Sequence, residues 1–256
     1  MPNYSNNLFI GTSGWDYSDW KNIFYPQKLP AFEKLSFYSK FFNTVEINST
    51  FYHFPRESSY KKWFLSVPDN FLFALKAPKL ITHIKKLRKI RTVLKQFLDG
   101  AFLFEEKLGP ILFQFPPSFK ENNFEILESF IQKELLKLIL TKKVKIAFEF
   151  RDKRWFQEKT YNLLKNYKIC LTISDSSKFP KTEVLTSDFV YYRLHGPTIL
   201  FASKYSKKEI ENLAKKIKNW QRERDIFVYF NNDVSGFAIE NALELKKLLE
   251  NGNWKD

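Results

Sequence analysis

The sequence predicts an α/β protein, a single (β/α)8 TIM barrel over residues 1–256 with the helix between the sixth and seventh strands short or missing. Three observations lead there. The length suits one large α/β domain with a core that needs no covalent staples. Strand-like and helix-like segments alternate from end to end, which implies parallel pairing through right-handed crossovers. The strand-like segments number eight. A doubly wound open sheet is the alternative fold, but no glycine-rich dinucleotide fingerprint follows any strand.

FIGTS at 9–13 is the first strand, broken by Gly14. AFEKLSFYSKFF at 31–42 sets Phe32, Leu35, Tyr38 and Phe42 on one helical face. TVEIN at 44–48 is the second strand, SSYKKWFLSV at 58–67 a short helix, and FLFALKA at 71–77 the third strand, stopped by Pro78. A helix falls within 84–106, and ILFQF at 111–115 is the fourth strand. Leu127, Phe130, Ile131, Leu135 and Leu138 recur at helical spacing within 124–139. KIAFEF at 145–150, a helix at 154–167 and ICLTISD at 169–175 follow. The link 176–187 carries no convincing helix. FVYYRLH at 189–195 is the seventh strand. Ser206 and Glu209 make a capping-box pattern before a helix at 207–222. DIFVYF at 225–230 is the last strand, and a helix from about 236 to 250 ends at the stop signal 251–252.

Composition narrows the function classes. Hydrophobic residues are 44% and charged residues 27% of the chain, as in globular proteins. Cys170 is the single cysteine, which excludes an internal disulfide, a cysteine zinc cluster and an iron–sulfur centre; it reads as a small buried apolar residue. The N-terminus lacks a signal-peptide pattern, and no apolar run reaches the roughly 18 residues of a membrane span, so a cytoplasmic protein with no membrane partner is expected. The net charge of +14 comes mostly from lysines on predicted helices, as at 85–95, 207–220 and 245–250. Arginine dominates bidentate phosphate and base recognition, so these lysines read as solvated helix surface.

Strand side chains alternate between faces, and large apolar residues mark the helix-facing parity. That leaves Glu46 and Asn48 inward on the second strand, Lys76 on the third and Gln114 on the fourth. Glu149 and Arg151 point inward on the fifth, and Tyr191, Arg193 and His195 on the seventh. Ser13 ends the first strand, Asp175 the sixth, and Asn231, Asn232 and Asp233 the last. Polar inward positions thus gather at the C-terminal strand ends, where barrel enzymes carry their chemistry. A ring of buried ion pairs alone stabilises weakly, so a pocket is the better reading than a polar plug.

Glu46, Glu149, His195 and Lys76 are the candidate catalytic residues for acid/base chemistry of a hydrolase or isomerase/lyase kind. Ser13, Trp15, Asn48, Tyr52, Gln114, Arg151, Arg193, Asn231, Asn232 and Asp233 are the candidate binding residues. Lys76, Arg151 and Arg193 suit a small anionic or polyhydroxylated ligand. The loop aromatics Trp15, Tyr17, Trp20, Phe24 and Tyr25, then Phe51, Tyr52 and Phe54, suit sugars or bases, although most read as a lid packing on itself. With the basic surface they support the alternative, a nucleic-acid binding or processing protein. No cofactor or metal ligand is predicted. His53, His83 and His195 follow strands two, three and seven, but no HExxH or HxH spacing joins them, so a divalent metal is the minor alternative. Oligomeric state stays open.

Seven motifs in order carry a resemblance: IGTSGWDYSDW at 10–20, TVEINSTFY at 44–52, FALKAPKLITH at 73–83, KLGPILFQFPPSF at 107–119, AFEFRDKRW at 147–155, YYRLHG at 191–196 and YFNNDVSGFAIENA at 229–242. The chain resembles the YecE-like family, domain of unknown function 72, from about residue 8 to about residue 245. The resemblance implies a TIM-barrel fold and carries no established activity. It marks the candidate residues above, with Thr50 and His83 added, as family motif positions. His53 departs from the family, whose members often carry Arg there, which counts against a metal site built on it. The segment PTILFASKY at 197–205 is less rich in glycine and tyrosine than in relatives.

Overall fold

The computed structural model describes residues 7–250; the first six residues and the stop signal at 251–252 lie outside it. Nine strands form: β1 (Leu8–Thr12), β2 (Thr44–Ile47), β3 (Leu72–Lys76), β4 (Leu108–Phe115), β5 (Ile146–Phe150), β6 (Cys170–Leu171), β7 (Ile173–Asp175), β8 (Phe189–Leu194) and β9 (Asp225–Phe230). Every pairing between them is parallel.

The expectation of one closed eight-stranded barrel is overturned. The ladders form two sheets, one of four strands in the order β1-β9-β8-β7 and one of five in the order β2-β3-β4-β5-β6. Two seams separate them, and at each seam side chains bond to backbone groups that a ladder would otherwise use. Between β1 and β2, the Thr12 N–H donates to the Tyr38 hydroxyl (2.9 Å), which donates to the Thr44 carbonyl (3.1 Å). Asn43 extends this stitch, donating to the Leu8 carbonyl (2.7 Å) and accepting from the Ile10 N–H (3.1 Å). A single bridge, Ser13 with Glu46, joins the strand ends. At the other seam the predicted sixth strand splits at Thr172. The Leu171 N–H donates to the Thr186 hydroxyl (2.8 Å), which donates to the Ile169 carbonyl (2.6 Å).

Gly11 lies where β1 presses closest on β2. A β-carbon there would stand 2.1 Å from the Thr44 carbonyl oxygen and 2.9 Å from the Tyr38 hydroxyl. The first neighbour is backbone and cannot swing aside. Gly11→Ala is expected to destabilise by about 3 kcal/mol, lowering Tm by roughly 6–12 °C in a thermal melt; an unchanged melt would show that the seam yields.

The predicted parity holds. Ala74, Leu112, Ala147 and Cys170 from the larger sheet meet Phe189, Tyr191, Phe227 and Tyr229 from the smaller in one apolar cluster. Cys170 is buried there, and burial pushes its thiol up to about 12, the state of a packing residue rather than a nucleophile. On the opposite parity, Val45, Ile47, Phe73, Leu75, Ile111, Phe113 and Phe148 join the helices in the main core.

Helices form at Glu57–Leu65, Arg91–Ala101, Glu158–Asn166, Lys207–Gln221 and Phe237–Glu250. The predicted 124–139 helix is continuous but passes through a π segment at Phe130–Leu135. The capping box is present, with both Ser206 and Glu209 bonded to each other's backbone N–H. Residues 176–187 contain no helix. The 31–42 segment is a 3-10 turn at Ala31–Glu33 and a helix only at Lys34–Tyr38, so Leu35, Tyr38 and Phe42 are buried while Phe32 is exposed. No helix among the described residues is long and apolar enough to cross a membrane.

Candidate functional site

The C-terminal strand ends hold a buried charged floor with an open cavity beside it. Arg193, at the end of β8, is its hub. Its Nη1 donates to Glu149 Oε2 (2.6 Å) and its Nη2 to Glu46 Oε1 (2.8 Å). Glu46 also accepts from the Ser13 hydroxyl (2.7 Å) and the Tyr191 hydroxyl (2.7 Å). Glu149 also accepts from Arg151 Nε (3.0 Å). Glu46, Glu149 and Arg193 are all 0% exposed. Two carboxylates thus face two guanidiniums, and the charges cancel.

This pairing fixes charge states. Arg193, then Arg151, overcome the burial that would favour a neutral carboxyl and hold Glu149 well below the usual carboxylate range. His195 lies beneath the cavity, its Nε2 3.4 Å from Arg193 Nη1 and its Nδ1 2.9 Å from Asn231 Nδ2. Burial, followed by the Arg193 charge, pushes His195 well below its ordinary value, so the ring is neutral at physiological pH.

The cavity has a volume of about 650 Å³. From the predicted set it is lined by Asn48, Tyr52, Lys76, Gln114, Arg151, Asn231 and Asp233. Asn48 Oδ1, Gln114 Oε1 and Asp233 Oδ1 are buried atoms with no hydrogen-bond partner. Buried polar atoms are nearly always paired, so three unpartnered acceptors around one cavity mark it as a place for a polar ligand. Arg151 lays its guanidinium over Phe179 at 4.0 Å. Beyond its Nε bond to Glu149, its terminal nitrogens make no hydrogen bond to any described residue.

Two cavity groups titrate near neutrality. Burial, aided by the nearby Arg193 charge, pushes the Lys76 ammonium down to about 7 against the pull of Glu149 and Glu46. Lys76 Nζ sits 4.1 Å above the Phe51 ring. Burial, with the Glu46 carboxylate adding to it, pushes the Asp233 carboxyl up to about 8 against the neighbouring Tyr17 hydroxyl. His83, bonded to Gln114 (3.3 Å) and Thr82 (2.8 Å), is pushed down to about 4 by burial and then by Lys76.

The remaining predicted residues fall elsewhere. Ser13, Glu46, Glu149, Arg193 and His195 form the floor and do not line the cavity. Asn232 is turned away, donating to the Ser203 carbonyl (3.0 Å) and Asn241 Oδ1 (3.1 Å). Trp15 and His53 line an adjoining cavity of about 550 Å³, which shares Tyr17 and Asn48 with the first. Trp20 and Tyr25 are buried in the packed first loop, as a self-packing lid requires. Tyr17 and Phe51, expected only among the loop aromatics and not as binding residues, line the main cavity, as does Phe201, which the sequence did not mark. Position just beyond a strand end was the available signal for Tyr17 and Phe51. Phe201, reached through a loop with φ of +65° at that residue, had none. Among the described residues no group of three His, Cys, Asp or Glu side chains converges as a metal site.

The chain is similar to UPF0759 protein YunF of Bacillus subtilis (strain 168), 26% identical over 278 aligned positions that cover 95% of each protein. A solved DUF72 family protein from Thermotoga maritima MSB8 is 32% identical, matches 95% of this chain and 99% of its own, and superposes with a TM-score of 0.83. A second, from Enterococcus faecalis V583, is 22% identical over 97% of each chain with a TM-score of 0.81, a likeness of fold. Residues 9–255 match the family described as "Protein of unknown function DUF72", and the chain belongs to that family.

Proposed function

We propose that this protein is an enzyme that performs acid/base chemistry on a small anionic or polyhydroxylated substrate in the cavity at the strand ends. The observation that carries this reading is the pairing, in one cavity, of two groups whose surroundings push their pKa values toward neutrality from opposite sides, Lys76 to about 7 and Asp233 to about 8. Such groups exchange protons at working pH, whereas a carboxylate fixed as an anion does not. In this reading the roles differ from those that strand position alone suggests. Asp233, protonated, is the acid; Lys76, partly neutral, is the base. Arg151 binds the anionic end of the substrate, and Asn48 and Gln114 accept from its hydroxyls. Glu46, Glu149 and Arg193 hold the neighbouring field constant.

A thermal-shift panel of sugar phosphates, carboxylates, nucleotides, divalent metals and short oligonucleotides tests the proposal. A small anion at about 100 times its Kd adds about 2.7 kcal/mol, or roughly 5–10 °C. The shift should persist from about 50 to about 200 mM salt and vanish in Arg151→Met. A shift given only by oligonucleotides and lost at the higher salt would replace the pocket with the basic surface.

A further inference from the structure

Lys76 is set apart from the other cations of the site. Arg193 and Arg151 each bond a carboxylate, whereas Lys76 makes no salt bridge to any described residue. Its Nζ instead rests on the face of Phe51, whose ring is in turn held edge-on by His83 at 4.9 Å. The backbone beneath is pinned, because the Thr50 hydroxyl donates to the Lys76 carbonyl (2.7 Å). An amine on a rigid strand end, open to a cavity and unclaimed by an acid, is placed to use its lone pair on carbon as well as on a proton.

We propose that Lys76 is a nucleophile that forms an imine with a small carbonyl compound bearing a carboxylate or phosphate. This deepens the reading of the same cavity and rests on it. The neutral Lys76 amine attacks the carbonyl carbon, and a C–N bond forms as the C=O π pair moves to oxygen. That oxygen takes a proton, for which the Asp233 carboxyl lining the same cavity is the acid. The nitrogen, cationic after the attack, returns a proton to the Asp233 carboxylate, which passes it to the hydroxyl; the freed nitrogen lone pair then expels that protonated hydroxyl as water, leaving a protonated imine and an ionised Asp233. Nothing is oxidised or reduced, and one water leaves for each carbonyl bound. Arg151 holds the anionic end, and the floor charges Glu46, Glu149 and Arg193 leave a net negative charge near the iminium. The amine fraction needed for attack exists at neutral pH because burial and Arg193 hold Lys76 near 7.

The test is reductive trapping on the full chain. Glyoxylate, pyruvate and glycolaldehyde phosphate are each incubated with the protein and sodium cyanoborohydride near pH 7, followed by intact mass measurement and peptide mapping. Hydride delivery to the imine carbon leaves a stable secondary amine. The expected result is one adduct per chain with at least one probe, mapped to Lys76 and at least about tenfold above any other lysine; Asp233→Asn should slow its formation by about 10²-fold or more. Adducts spread over surface lysines, with Lys76 labelled no faster than the rest, would overturn the inference. If that outcome came with the Arg151-dependent thermal shift intact, the acid/base reading would survive alone; if the shift were absent too, both would fall. Mapping on the parent chain makes the result independent of whether any Lys76 variant folds.

Discussion

Arg193→Met is expected to lower stability by more than about 5 kcal/mol, close to the whole stability of an ordinary domain. The reason is geometric. Arg193 bonds Glu149 at 2.6 Å and Glu46 at 2.8 Å, and all three side chains are sealed from water. Removing the guanidinium leaves Glu46 with only the Ser13 and Tyr191 hydroxyls, and Glu149 with only Arg151. An uncompensated buried charge costs about 3–5 kcal/mol. The variant should regain stability on acidification, because protonation removes the unpaired charge. In the parent, Glu149 contributes with the opposite sign. Its Glu149 pKa is lowered on folding, so that contribution is complete above the ordinary carboxylate range and is lost as pH falls below it. Adding Glu46→Gln and Glu149→Gln to Arg193→Met should restore part of the loss. Urea melts at about pH 3 and pH 8 check all three statements. A single variant that melts within about 2 °C of the parent would mean that the triad contributes nothing to the fold.

Asp233→Asn is expected to act in the opposite direction, by an amount that grows as pH rises from about 4 to about 8. The folded protein holds the Asp233 proton up to about pH 8, while the unfolded chain releases it near 3.8. Between those values the unfolded state binds fewer protons, so the parent loses stability as pH rises, and the loss is complete above about 8. Asparagine resembles the protonated acid in shape and never ionises. The variant should therefore match the parent near pH 4 and exceed it at pH 8.5 by on the order of 3–5 kcal/mol. Denaturant midpoints at the two pH values measure this directly. Parallel pH profiles for the two proteins would show that Asp233 ionises freely, and the acid in the proposed chemistry would be lost with it.

The legible part of the molecule is the part written in local alternation. The inward parity of Glu46, Lys76, Gln114, Glu149 and Arg193 follows from which neighbours are large and apolar, and that pattern is local to each strand. The seams are different. Tyr38 bonds residues on both β1 and β2, and Thr186 reaches back 15 residues to Leu171. Neither Tyr38 nor Thr186 differs in sequence from an ordinary core or loop residue, so the break between sheets had no local signature. Charge state was hidden for the same reason. Asp233 follows its strand like any loop aspartate, and its proton is held by burial and by Glu46, which lies far away in the sequence, on the second strand. The carboxylates that look catalytic by position are those the fold pairs with arginine, and Asp233, the acid pushed toward neutrality, is one that position marks only for binding.

The smaller sheet joins the two ends of the chain. β1 pairs with β9 in register from Leu8 with Ile226 to Thr12 with Phe230, and the flanking Asn7 N–H bonds Asp225, 218 residues on. The strands β2 to β5 each pair with the next in sequence, so their ladders close short loops as the chain emerges. The β1 ladder closes the longest loop in the molecule, the kind of contact whose entropy cost comes first and whose return comes last. Among the described strands, β1 is therefore made first and waits longest for its backbone partner. Until β9 exists, β1 can be held in place only through the seam, by Asn43 and Tyr38.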